Sequence, residues 1–222
     1  MAESQIEAVD WQDGDLPVST LFDDPYYSLE DGLAETRHVF LSGNDLPARF
    51  APGFRVAELG FGTGLNFLTT LDAFRRAGVG GLLHFTSFEA YPMPLEQMKK
   101  ALSRFPGLPM GVFSGPDREQ PERVNGTDFE LRVIHGDARQ TLHLWQGRAD
   151  AWFLDGFSPA KNPELWEPGL IAEVARHTAT GGSFATYTAA GHVRRTLGDA
   201  GFEVVRVPGF GRKRHMTTGR LR

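Results

Sequence analysis

The chain contains no cysteine. Disulfides, thiolate metal sites and cysteine nucleophiles are therefore excluded, and an intracellular, cytoplasmic protein is the simplest expectation. No apolar run approaches the roughly 20 residues that a membrane-spanning helix needs, and the acidic start lacks the basic-then-apolar segment of a signal peptide. The seven histidines show no H-E-x-x-H or comparable ligand spacing, so no metal is expected. There is no G-x-x-x-x-G-K-[ST] phosphate loop and no G-x-S-x-G hydrolase serine. The first 35 residues carry ten acids and not one Lys or Arg, so the net charge of -5 hides a mildly basic body. Five bases (Arg212, Lys213, Arg214, Arg220, Arg222) follow Gly209 without an acid, which reads either as a solvated end or as a phosphate-contacting patch.

Glycine, by contrast, is plentiful: 26 of 222 residues, about 12% against an ordinary ~7%. Three glycines fall at alternate positions in VAELGFGTGLN, Val56 to Asn66, between a short apolar run and a helical pattern through Leu65, Phe67, Leu68 and Leu71. That reads strand, glycine turn, helix, a place where a nucleotide-like cofactor can lie against backbone. A dinucleotide fingerprint wants a small residue where Leu65 stands, and Glu58 would repel a pyrophosphate. A carrier with an ammonium and a sulfonium is attracted instead, so S-adenosyl-L-methionine fits better than NAD.

From Phe54 onward strand and helix patterns alternate. Strands are expected at 55–59, 82–88, 130–135, 151–154, 182–187, 203–207 and 215–221, with helices at 65–76, 95–105, 138–145, 163–177 and 192–200. Such alternation predicts an α/β fold of the Rossmann-like class I methyltransferase type, a seven-stranded, mostly parallel sheet covered on both faces, with ligands at the carboxyl ends of the strands. Residues 53–222 would form this domain, with an insertion at about 106–128, rich in Pro, Gly and charge. Residues 1–52 would be a small extension: a hairpin turning at Asp13-Gly14, a loop LFDDPYYS, and a helix from Glu30 to Leu41 stopped by Ser42-Gly43-Asn44. In the loop, Asp24 and Tyr26 can rim a pocket for a cationic substrate, or Asp-Pro simply opens a turn.

Three acids each end a successive strand: Glu89, Asp137 and Asp155. Glu89 can accept both ribose hydroxyls, Asp137 an adenine amino group, and Asp155 opens the string LDGFSPAKNPELW. Together with the glycine loop they converge on one cleft if the sheet is parallel.

The motifs LFDDPYYS, GLAETRHVFLSGN, VAELGFGTGLNFL, FTSFEAYP, DAWFLDGFSPAKNPELW, AGHVRRTLGDAGF and GFGRKRHM resemble the methyltransferase domain of the MnmC family of tRNA-modifying proteins. The resemblance implies methylation of 5-aminomethyl-2-thiouridine at the tRNA wobble position. It implies cofactor contacts from Glu58, Gly60, Phe61, Gly62, Thr63, Gly64, Asn66, Glu89, Asp137 and Asp155. Asp155 is the expected catalytic residue, aided by Phe157 beside the base or sulfonium and Asn162 at the uridine edge. Pro159, which stiffens the loop, Lys161 and Trp166, with Arg212, Lys213 and Arg214, would meet tRNA at its anticodon loop. Trp166 has both a packing and a stacking reading. Many relatives continue into a FAD-dependent oxidoreductase domain; this chain carries no second glycine-rich FAD motif, so FAD belongs only to a fused or partner protein. The competing readings are a nicotinamide oxidoreductase, a non-catalytic tRNA-binding module and a small-molecule amine methyltransferase.

Overall fold

Apolar runs bounded by glycine and proline become strands buried on both faces, as a parallel sheet between helical layers demands. The structure, a computed structural model, describes residues 9–12, 16–28, 31–114 and 122–222. The N-terminal strands β1 (Val9–Gln12) and β2 (Leu16–Ser19) pair antiparallel, and β3 (Asp24–Pro25) adds to β2. The expected Asp13-Gly14 turn lies outside the described residues. Leu16, Val18 and Tyr27 are buried in the main core, so this small sheet packs against the rest.

The helix expected from Glu30, itself outside the described residues, begins as α1 (Gly32–Thr36), capped by the Asp31 carboxylate on Ala34 N. Its helical run ends at Ser42-Gly43-Asn44, as expected, but is not α-helical throughout. The chain continues as one π-helical turn, Arg37–Leu41, and a 3-10 turn, Ser42–Asn44, before Asp45 takes a left-handed φ of 55°. Gly43 serves packing rather than capping: a Cβ there would stand 2.8 Å from the Cβ of Ala185.

The main sheet holds β4 (Arg55–Leu59), β5 (Leu83–Glu89), β6 (Arg123–Asn125), β7 (Phe129–His135), β8 (Ala149–Leu154), β9 (Thr178–Thr186), β10 (Phe202–Pro208) and β11 (His215–Leu221). Their order is β6-β7-β5-β4-β8-β9-β11-β10. β7, β5, β4, β8 and β9 run parallel, and β11 inserts antiparallel between β9 and β10. Among the described residues, eight strands therefore stand in this sheet where seven were expected. The eighth, β6, comes from the insertion and pairs antiparallel with β7; its single buried residue, Val124, gives an alternation too short to see beside so much Pro and Gly.

Between strands lie α2 (Leu65–Ala77), α3 (Leu95–Leu102), α4 (Ala138–Thr141), α5 (Pro168–Arg176) and α6 (Gly191–Asp199). Pro168 splits the expected 163–177 helix, because a residue without an N–H suits only a first turn; a 3-10 turn, Pro163–Trp166, precedes α5. Likewise α3 ends before Pro106, and α4 passes into a 3-10 turn at Leu142–Leu144.

Alternation along the strands divides the interior into two cores. Val56, Phe85 and Phe153 face one way with Phe67 and Phe40, whereas Ala57, Phe88 and Trp152 face the other with Ile171 and Phe184. β4 connects outward to β5 on one side while β8 lies on its other side, so the strand order reverses between β4 and β8. A crevice opens at their carboxyl ends. No helix among the described residues is long and apolar enough to cross a membrane.

Gly43→Ala should lower stability by about 1–3 kcal/mol through overpacking, and Ala185→Gly in the same chain should recover part of that loss. Urea midpoints of the two single variants and the pair measure the coupling; strict additivity would refute the contact.

Candidate active site

The glycine turn leaves β4 and enters α2 at the point of strand reversal. Gly60 has φ +85°, and a Cβ on it would lie 3.1 Å from the Asp155 carbonyl oxygen at the end of β8. Gly62, at φ +51°, donates its N–H to Oε2 of Glu89 at 2.9 Å, while Tyr91 N donates to Oε1 at 2.8 Å. Glu89 thus braces the glycine turn and keeps further acceptor capacity on both oxygens. Gly64 caps α2 and packs toward Phe61, Met98 and Phe113 rather than lining the cleft.

Above the turn is a cavity of about 680 Å³. It brings together Gly60, Phe61, Gly62, Thr63, Asn66, Glu89, Asp137, Asp155, Phe157, Lys161, Asn162, Asp24 and Tyr26 from the sequence-based set. Asp137 caps α4 and is gripped by Arg139, with Nη2 on Oδ2 at 2.7 Å and the backbone N–H on Oδ1 at 2.8 Å. The guanidinium hydrogen bond, foremost, holds the Asp137 carboxyl below the usual carboxylate range.

Asp155 keeps some surface open to the cavity yet lies deep under the protein exterior. Oδ2 accepts from Asn66 Nδ2 at 2.7 Å and Oδ1 from Gly156 N at 2.9 Å. Burial nonetheless raises its pKa to about 7. The same Asn66 Nδ2 donates to Oε1 of Glu58 at 2.9 Å, and Asn66 Oδ1 accepts from Thr36 Oγ1 at 2.9 Å. Asn66 therefore has both N–H groups engaged within the protein, so it could meet a cofactor only through Oδ1. Glu58 also departs from expectation: it is fully buried behind Asn66, off the cavity wall, because β4 is covered on both faces. Burial raises its pKa well above the ordinary value, with the Asp155 charge adding to the rise.

The loop after β8 is docked on the N-terminal segment. Phe157 stacks on Phe22 at 4.7 Å between centroids and meets Tyr26 edge-on at 5.3 Å. Ser158 N donates to Asp24 Oδ2 at 3.0 Å. Lys161, expected at a phosphate, is instead bonded to the Asp23 carbonyl and paired with the Asp23 and Asp24 carboxylates. Trp166 is buried at 4% exposure in the second core, its indole N–H aimed at the Phe157 carbonyl at 3.5 Å, so it packs rather than stacks on a base. Pro159 lies off the cavity wall.

Lys213 is also relocated. Its Nζ lies 2.9 Å from Glu35 Oε1 and 4.1 Å above the Tyr187 ring, at the rim of the cavity with the side chain still 47% exposed. Arg212 and Arg214 flank it, exposed and outside the cavity. Several lining side chains escaped the sequence reading, among them Glu35, Phe22, Tyr91 and Tyr187. Glu35 was lost among ten N-terminal acids, and Phe22 and Tyr91 carry no spacing signal. Tyr187, whose hydroxyl donates to the Gly156 carbonyl at 2.8 Å, follows β9 much as Asp155 follows β8, and that position was the available clue.

Among the described residues six carboxyl groups line the cavity (Asp24, Glu35, Glu89, Asp137, Asp155, Glu164), and three cations, Arg139, Lys161 and Lys213, each pair with a carboxylate. The acidic surplus and the missing Cβ atoms at the turn suit a cofactor that carries positive charge and no phosphate.

Comparison with known proteins agrees. Residues 112–222 match a family described as S-adenosyl-L-methionine-dependent methyltransferase. Two proteins named tRNA 5-methylaminomethyl-2-thiouridine biosynthesis bifunctional protein MnmC are similar. That of Marinobacter nauticus is 44% identical over 228 residues, 95% of this chain and 36% of that protein. That of Caulobacter vibrioides is 47% identical over 214 residues, 92% and 36% respectively. The chain thus spans about a third of the length of these relatives. The crystal structure of MNMC2 from Aquifex aeolicus superposes with a TM-score of 0.75 at 25% identity, covering all of this chain and 72% of that one.

The Asp155 titration has a consequence for stability. Its folded-state pKa of about 7 lies above the ordinary 3.8, so folding is disfavoured progressively as pH rises between these values, by at most roughly 4 kcal/mol. The melting temperature of Asp155→Asn should therefore gain on the wild type from pH 4 to pH 8. A constant difference across that range would show that the carboxyl is not held neutral.

Proposed function

The chain belongs to a family of S-adenosyl-L-methionine-dependent methyltransferases, and from that premise we propose that it methylates the primary amine of 5-aminomethyl-2-thiouridine at the tRNA wobble position. The product would be the 5-methylaminomethyl form that the names of its relatives carry. Because the chain spans about a third of those bifunctional relatives, the reading covers methyl transfer alone. A FAD-dependent oxidoreductase, as a further domain or a separate protein, would supply the amine. The cytoplasm, where tRNA is handled, is the proposed location.

The observation that carries the reading is Asp155: a buried carboxyl with a raised pKa, at the end of β8, touching the glycine turn and facing a cavity beside an aromatic ring. When bound, S-adenosyl-L-methionine supplies an electrophilic methyl group on a positively charged sulfur. Glu89 would hold its ribose hydroxyls, the Asp137 end of β7 its adenine, and the backbone of the Gly60–Gly62 turn would lie alongside. An alkylamine is protonated at neutral pH, with a reference pKa near ~10.4. Transfer of its proton to ionised Asp155 neutralises an ammonium and a carboxylate together, which a site poor in water favours. Asp155 would then keep the nitrogen lone pair aimed, and orientation is the larger contribution. Phe157, fixed by Phe22 and Tyr26, offers an aromatic face to a base drawn out of the anticodon loop. Asn162 lines the same cavity and would meet the uridine edge.

Arg212 and Arg214 are the proposed contacts to the tRNA backbone; Lys213, paired with Glu35 at the cavity rim, is not. Transfer of a labelled methyl group to tRNA bearing the aminomethyl group, against matched tRNA lacking it, tests the substrate. Asp155→Asn should slow single-turnover transfer on the order of 10²-fold or more, and an unchanged rate would remove it from the chemistry. Arg212→Ala with Arg214→Ala should weaken tRNA binding and flatten its salt dependence while leaving S-adenosylhomocysteine affinity intact. Equal salt slopes for variant and wild type would place the tRNA elsewhere.

A further inference from the structure

Glu58 is an acid that the proposed chemistry does not use, and it is fully buried. Its Oε1 and the Asp155 Oδ2 accept from the same nitrogen, Asn66 Nδ2, at 2.9 and 2.7 Å. Its Oε2 has no partner at full hydrogen-bond geometry, nor has the Oγ of the neighbouring buried Ser87, although Ser87 lies close enough to Glu58 to ease its ionisation, an effect smaller than that of burial. Two ionised carboxylates on one amide group, out of water, repel each other strongly, and such pairs titrate in two separated steps. A proton on Glu58 Oε2 removes the repulsion and provides a donor that Ser87 Oγ can accept. Thr36 Oγ1, donating to Asn66 Oδ1, fixes which end of the amide faces the acids; the flipped amide would set its oxygen against both.

We infer that Asn66 is a positioning residue: locked by Thr36, it holds Glu58 and Asp155 on one nitrogen so that the pair keeps a single proton, carried by Glu58, while Asp155 ionises toward the amine. The inference rests on the reading of Asp155 as the group that meets the amine. The charged and titratable neighbours act on the two acids from several elements. Glu35 from α1 opposes Asp155 ionisation and Lys213, ahead of β11, favours it. Glu89 from β5 acts against ionisation of Glu58. Tyr187, after β9, is kept neutral by its own burial, with the charges of Asp155 and Asp24 adding to that. The arrangement also makes α1, which precedes the main sheet, part of the proton-handling apparatus.

The test is a carbon-13 NMR titration of side-chain carboxyls in the full chain, without tRNA. In the wild type, Asp155 should titrate near neutrality with Glu58 protonated well beyond it. Asn66→Ala should move the Asp155 titration upward by roughly one pH unit or more, since a hydrogen bond to the charged form is lost. Thr36→Val, nearly isosteric, should move it the same way by less, and Thr36→Ser should restore the wild-type curve. Glu58 ionised at pH 7, or an Asp155 curve unmoved in Thr36→Val and Asn66→Ala alike, would overturn the inference. Should Asn66→Ala fail to fold, the Thr36 pair decides. The titration needs no methyl acceptor, so a protein that titrates as stated but leaves tRNA unmethylated would overturn the substrate and not the carboxyl pair.

Discussion

Desolvation of acidic side chains at the carboxyl edge of the sheet is the constraint that the site depends on. A carboxylate removed from water must be neutralised, paired or given donors. Each strand end answers differently. Glu89 takes two backbone N–H groups, Asp137 takes Arg139, and Asp155 with Glu58 shares one side-chain amide. Three acids in similar positions thus acquire distinct properties: a brace, an anchored ion and a carboxyl poised near neutrality. The same requirement explains why Asn66, rather than an aliphatic residue, opens the first turn of α2.

The cavity owes its closure to side chains far apart in sequence. Phe22 and Tyr26 arrive from the N-terminal strands, Phe157 from the loop after β8, Tyr187 from the end of β9 and Lys213 from the turn before β11. The Asp23–Asp24 pair and Lys161 tie two of these segments together. The N-terminal segment is therefore structurally part of the cleft even though it contributes no strand to the main sheet.

Much of the fold was legible because strand and helix periods are strong where burial is two-sided: the 55–59 and 215–221 strands and the start of α2 coincide with the structure. What escaped was local. β6 is too short to show an alternation, and the π and 3-10 turns after α1 have no periodic signature. The site was legible wherever an acid or glycine ended a strand. Charge partners were not, since Lys161 and Lys213 look like free cations until tertiary contacts bring Asp24 and Glu35 beside them. Orientation was equally hidden: Glu58 and Trp166 belong to informative motifs, but burial turns both away from the cavity.

The strand that joins β9 to β10 is β11, the last of the eight to be synthesised. Until residues 215–221 leave the ribosome, β10 has no neighbour in the sheet and β9 shows an open edge of unpaired amides and carbonyls. Assembly of that side of the sheet is thereby delayed until β11 has been made, and the nascent domain must pass that interval with an adhesive margin exposed. Lys213 reaches the cavity only when this strand seats, so completion of the sheet and completion of the pocket are one event.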